Sequence, residues 1–167
     1  MLNPKELLNK VQETTLFVQW QEKHQKSFLS HFFCDLKSNL TMKSNWEIGF
    51  YNPEISKITT FVDNQGKFFL KPEDDVFKKD QTDVEELKLD QIKLSANEAT
   101  EIFKKNAPEL FPSESYGDGF LVLQELRKEA LWSFSFITKS LKFINLKINA
   151  KTGKVKSHDT VEVVQQS

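Results

Sequence analysis

The sequence contains little cysteine, glycine or proline. Its 167 residues include a single cysteine, Cys34, five glycines and five prolines. A lone cysteine excludes a disulfide within the chain, and so few glycines and prolines argue against long flexible linkers. The opening segment "MLNPKELLNKVQ" lacks the apolar region of a signal peptide, and no stretch approaches the roughly 18 apolar residues of a membrane-spanning helix. We therefore expect a cytoplasmic protein that does not associate with a membrane.

An excess of charge of one sign is also missing. The 23 basic and 24 acidic residues leave a net charge of −1, and no basic stripe stands out. Because binding to nucleic-acid phosphates relies on concentrated lysine and arginine, nucleic acid is not an expected partner. Hydrophobic residues make up 38% of the chain, and its 15 phenylalanines can build a folded core.

Two segments of the chain share the same pattern of residue types. The first is "WEIGFYNPEISKITTFVDNQGK" (Trp46–Lys67), and the second is "WSFSFITKSLKFINLKINAKTGK" (Trp132–Lys154). Each opens on tryptophan, reaches phenylalanine four residues later and crosses a short polar break. Each then runs through an apolar-rich stretch and ends in Gly-Lys. We interpret the two segments as an internal repeat.

A helix is predicted before the first of these segments, in "NPKELLNKVQETTLFVQWQEKH". Asn3 can cap this helix, and Pro4 suits its first turn. Residues at three-to-four spacing predict its buried face: Leu7, Leu8, Val11, Thr15 and Val18. The next stretch, "SFLSHFFCDLK", fits a helix or a strand, and the repeat favours a strand. Asn52-Pro53 then predicts a hairpin, and Asp63–Gly66 predicts a turn.

The second segment has a similar setting. Ser95 and Glu98 form a capping box at the start of a helix, which Pro108 and Pro112 are expected to stop. Strands are predicted in "GFLVLQEL", "LWSFSFIT", "LKFINLKIN" and "VKSHDTVEVV". The acidic run "PEDDVFKKDQTDVEE" between the copies is typical of a solvated connector.

These elements predict an α+β fold of two tandem units. Residues 1–80 form the first unit and residues 81–167 the second, each a helix followed by three to four antiparallel strands. The helix is expected to cover the apolar face of its sheet. Because units of this size are marginally stable alone, we expect the two to pack together.

The second unit resembles the PepSY domain. A helix opening "LSANEATEIFKK", followed by strands and a closing "LKINAKTGKV" hairpin, is similar to the pattern of that family. Glu98, Ala99 and Ile102 fit the helix, and Asn149–Val155 fits the turn, with Asn149 where aspartate is usual. The first unit is similar in pattern only. The resemblance implies a PepSY/cystatin-like fold and a non-catalytic module, as in the propeptides of thermolysin-like peptidases, where it binds and restrains the enzyme.

No set of residues predicts catalysis, a cofactor or a metal site. His24, His31 and Cys34 have a plausible ligand spacing, but a closed zinc site normally needs four ligands in paired clusters. Surface or half-buried histidines and a buried thiol are the favoured interpretation. His158 and Asp159 are neighbours in a predicted strand and therefore point to opposite faces. The chain is not expected to be an enzyme.

The predicted function is binding of another protein or a peptide, possible targets being peptidases that the module inhibits or regulates. The candidate surface is the closing hairpin, because its last strand is expected to have an unpaired side where a peptide can add as a further strand. The hairpin carries four lysines: Lys147, Lys151, Lys154 and Lys156. These lysines either bind an acidic partner or only keep the strand edge soluble. The chain is expected to be a monomer or a weak homodimer. The alternatives are an immunity protein that neutralises a toxin and a carrier of a small apolar ligand.

Overall fold

The computed structural model describes residues 3–75 and 84–163. These residues form three α-helices, a single 3-10 turn and nine β-strands. The helices are α1 (Pro4–Gln12), α2 (Thr15–Lys23) and α3 (Ala96–Leu110), and the 3-10 turn is Leu89–Gln91. The strands are β1 (Phe28–Leu36), β2 (Glu47–Asn52), β3 (Lys57–Asn64), β4 (Lys67–Leu70), β5 (Asp74–Asp75), β6 (Tyr116–Leu126), β7 (Glu129–Thr138), β8 (Lys142–Asn149) and β9 (Val155–Glu162).

All nine strands belong to one antiparallel sheet. Its order is β4-β3-β2-β1-β6-β7-β8-β9, with the short β5 also paired to β3. The prediction of two tandem helix-plus-sheet units is therefore wrong, because the β1–β6 pairing joins the strands of both copies. In separate units β1 and β6 would each be an edge with unpaired N–H and C=O groups, and their pairing satisfies those groups. The predicted boundary between residues 80 and 81 lies outside the described residues.

A single buried row crosses the centre of this sheet. Its members pair in register from β3 to β8, and each is at most 1% exposed: Phe61, Ile48, Phe32, Leu123, Trp132 and Ile148. Because side chains alternate between faces, this register turns the apolar residues of both halves toward one core. The two tryptophans of the repeat also meet there: Trp46 directly precedes β2, Trp132 lies in β7, and their ring centroids are 6.3 Å apart.

The first predicted helix forms two helices. Thr14 caps α2, its side-chain oxygen accepting a hydrogen bond from the N–H of Phe17 at 3.1 Å. This new start resets which side chains face the sheet. Phe17 and Trp20 each lie 5.3 Å from the Phe50 ring, whereas Val18, predicted to be buried, is 47% exposed.

The second half of the sheet is covered by α3. The capping box of Ser95 and Glu98 is present, as predicted. Pro108 was expected to stop this helix, but it lies inside the last turn of α3, which ends two residues later at Leu110. Phe103 packs 4.9 Å from the ring of Phe134. All three helices therefore lie on one face of the sheet, and the opposite face carries no α-helix among the described residues.

Candidate functional site

β9 forms one margin of the sheet. The strand order ends there, and no strand among the described residues pairs with its outer side. Seven of its eight residues are exposed. Just beyond the strand, Val163 donates its N–H to the carbonyl oxygen of Leu141 at 3.0 Å. Because the backbone groups of successive residues point to opposite sides of a strand, those of His158, Thr160 and Glu162 point away from β8.

A bulge limits the regular part of this margin. The pairing of β8 with β9 shifts between Lys147, which lies opposite Ser157, and Ile148, which lies opposite Val155. Lys156 is consequently the extra residue. Bulges and lysines are typical of strand edges that resist unspecific pairing, so the regular edge available to a partner begins at Ser157.

The four candidate lysines lie around the start of β9. Lys147 lies in β8, Lys151 lies in the turn between the strands, and Lys154 immediately precedes β9. Lys156 forms an ion pair with Glu129, with 3.0 Å between Nζ and Oε2. Within residues 3–75 and 84–163, the other three lysines have no carboxylate partner. One end of the margin therefore carries three cations that are free to meet an acidic group.

His31 and Cys34 do not form a shared site. Residues three apart in a strand point to opposite faces, so that Cys34 is fully buried in the core while His31 packs on the other face against Gly49. Burial raises the pKa of the Cys34 thiol to about 12, which disfavours the reactive thiolate. His24 Nδ1 lies 2.8 Å from the carbonyl oxygen of Trp20. No group of three His, Cys, Asp or Glu side chains in the described parts of the chain is placed to hold a metal ion.

His31 is closely packed against β2. A Cβ atom added to Gly49 would lie 2.1 Å from Cε1 of the imidazole. Nδ1 of the ring lies 3.1 Å from Oγ of Ser30. Burial lowers the pKa of His31 to about 4, so the ring is neutral at pH 7. These contacts make His31 a structural residue of the face opposite the helices.

A half-open pocket lies on the same face, toward one end of β6, β7 and β8. Its volume is about 170 Å³, and its lining includes Phe120 and Phe143. An ion pair of 2.5 Å between Lys43 and Asp118 lies in its wall. Sites for small-molecule ligands usually enclose about 300–1,000 Å³, so this pocket does not favour the carrier hypothesis.

The sequence analysis placed the candidate site at the unpaired side of the last strand and named the four lysines near it, and the structure adds which main-chain groups face outward there. The exposed N–H and C=O groups of His158, Thr160 and Glu162 are the potential binding elements, and no residue type marks them. The strand pattern of "VKSHDTVEVV" indicated the strand, but the side of β9 that β8 occupies had to be known before these groups were found.

Comparisons with known proteins give a likeness in fold. No protein-family model matches the chain, and no curated protein matches it in sequence. A crystal structure at 1.85 Å resolution, of a Clostridium difficile 630 protein described as a "putative lipoprotein", matches with a TM-score of 0.51. The match covers 87% of this chain and 90% of that one at 12% sequence identity, a level that shows the fold alone. The PepSY resemblance stays a prediction. None of the helices in the described residues is long and apolar enough to cross a bilayer.

Proposed function

We propose that this chain is a non-catalytic module that binds an extended segment of another protein or a peptide along β9. The supporting observation is that β9 is an exposed eight-residue strand at the end of the sheet, and no strand in residues 3–75 and 84–163 pairs with its outer side. In β-augmentation an extended peptide adds a strand to the edge of a sheet; its main-chain hydrogen bonds provide affinity, and its side chains provide specificity. His158, Thr160 and Glu162 present the outward backbone groups that a new strand requires.

The free lysines suggest the orientation of the bound segment. The start of β9 is close to Lys154, to Lys151 in the preceding turn and to Lys147 in β8. An antiparallel segment would place its C-terminal part there. We propose that this part carries acidic side chains or a free carboxylate. Attraction between exposed charges is weak and screened by salt, so the lysines select the orientation while the main chain supplies most of the affinity.

The proposed partner is a peptidase that the module restrains, in keeping with the PepSY resemblance, and a toxin is the alternative partner.

The cytoplasm is the proposed location. A membrane-anchored location is the alternative suggested by the description of the Clostridium difficile protein as a lipoprotein. Fractionation of the native cells, followed by immunoblotting of the soluble and membrane fractions, distinguishes the two locations.

Photo-cross-linking in the native host tests the proposed edge. A photoreactive amino acid is placed at Thr160 in β9 or, as a matched control, at Phe69, which is 48% exposed in β4 at the opposite margin. We expect mass spectrometry to identify one specific adduct from position 160 that is absent from position 69. Equal capture from the two margins would contradict the proposed site.

Isothermal titration calorimetry then measures the affinity of the captured segment for purified variants of this chain. Thr160→Pro removes an outward N–H without taking a hydrogen bond from β8, a position where an edge strand tolerates proline. Thr160→Val keeps the N–H. We expect binding to be lost in the proline variant and retained in the valine variant. Undiminished binding by Thr160→Pro would mean that β9 does not form the docking edge.

A further inference from the structure

We propose that, in the absence of a partner, β9 pairs with β9 of a second copy of this chain, antiparallel about a two-fold axis at Thr160. The proposal concerns the same edge as the proposed function but requires no foreign protein. Pairing of this type uses the same surface on both copies, and it would join two sheets into one.

The register follows from the outward backbone groups. In an antiparallel pair, residues that exchange two hydrogen bonds lie directly opposite each other. With the axis at Thr160, this residue faces its own counterpart, and His158 faces Glu162 of the second copy. The same axis centres the pairing on the regular segment that follows the bulge. It creates a Thr–Thr pair flanked by two imidazole–carboxylate pairs, both of which are favourable cross-strand combinations.

The charges of β9 are compatible with this arrangement. With the axis at Thr160, Glu162 of each copy lies opposite His158 of the other, and Asp159 lies opposite the uncharged Val161. No two carboxylates are therefore directly opposite each other in the antiparallel pair. Parallel pairing would place like charges together. The charge distribution therefore favours a second, antiparallel copy as the occupant of the edge.

The dimer is expected to be weak. The bulge at Lys156 and the ion pair of this residue with Glu129 end the regular edge on one side, which leaves one short strand pair as the contact. Such an interface lies at the low end of the areas buried by specific complexes. A reversible dimer would cover the edge at high concentration and give way to a tighter partner segment.

Sedimentation velocity of the purified full chain, from micromolar to millimolar concentration, tests the proposal. We expect a concentration-dependent monomer–dimer equilibrium for the wild type and for Thr160→Val. Thr160→Pro should remain monomeric while its circular dichroism matches that of the wild type. A wild type that is monomeric throughout, or a dimer that persists in Thr160→Pro, would overturn the proposal.

Charge exchange tests the register. His158→Glu places two carboxylates opposite each other, and Glu162→Lys removes the acceptor for the imidazole. Each change acts twice in the two-fold pair and should weaken association about fivefold, and the double variant should restore it because glutamate then faces lysine. Failure of the double variant to recover would reject this register. No partner is present in these measurements, so the result is independent of partner capture and the two proposals can fail separately.

Discussion

The two halves of the sheet have the same strand order on either side of the β1–β6 pairing but end in different margins. The first half ends in β4, which has four residues and shares its neighbour β3 with the two-residue β5. The second half ends in the eight-residue β9. A longer unpaired strand presents more backbone groups to a partner. The halves are thus alike where they meet and differ where they end, which is where we place the function.

The coverings of the two halves also differ, although both bury aromatic rings. Two nine-residue helices lie over the first half, where Phe17 packs on Phe50. One 15-residue helix lies over the second half, where Phe103 packs on Phe134. Because the central buried row runs through both halves without a break, different coverings serve one core.

The largest expected effect comes from truncating an aromatic ring in either half. Phe17→Ala and Phe103→Ala should each lower the free energy of unfolding by about 3–5 kcal/mol through lost burial and the cavity left behind. Both should shift one common transition, because the core is shared. Urea unfolding, followed by the fluorescence of variants that keep only Trp20 or only Trp132, tests whether the two halves share one transition. Different midpoints for the two tryptophans would show that the halves unfold independently.

A smaller effect is expected from adding a methyl group at a glycine in each half. The new Cβ would lie 2.1 Å from the backbone oxygen of Ser135 at Gly119, and 2.1 Å from the His31 ring at Gly49. Because a backbone atom yields less easily than a side chain, we expect Gly119→Ala to cost about 3 kcal/mol and Gly49→Ala about 2 kcal/mol.

A double-mutant cycle identifies the obstacle at Gly49. In a His31→Ala background the cost of Gly49→Ala should fall, whereas that of Gly119→Ala should not change. Denaturant unfolding of the single and double variants provides the values. An unchanged cost at Gly49 would show that the imidazole is not what the methyl group meets.

An effect as small as that of Gly49→Ala is expected from a pH dependence that arises in the first half. The pKa of His31 is lowered by burial from 6.5 to about 4 in the folded protein. Between these values the unfolded chain binds more protons, so stability falls as the pH falls below 6.5. From pH 7 to pH 5 the wild type should lose about 2 kcal/mol more than His31→Gln. Parallel pH profiles in chemical denaturation would rule out this role for His31.

Local sequence patterns were sufficient to predict the type and position of many secondary-structure elements. The stretch that fitted either a helix or a strand is β1, as the repeat favoured, and the hairpin at Asn52-Pro53 joins β2 and β3. The break between α1 and α2 was missed, because the apolar spacing continues across Thr14 and hides its role as a cap. A capping residue inside a continuous helical pattern is a weak signal until its hydrogen bond is seen.

The sequence by itself determined where strands and turns occur, because alternation and turn residues act over a few neighbouring positions. Trp132, Phe134 and Phe136 alternate along β7, and the Asn149 side chain accepts hydrogen bonds from the turn that follows. Only the tertiary structure decided that β1 pairs with β6 and that the backbone groups of His158, Thr160 and Glu162 point away from β8. Strand pairing joins distant residues through backbone groups that are nearly the same in every residue, so the choice of neighbours depends on how distant apolar rows align in one core.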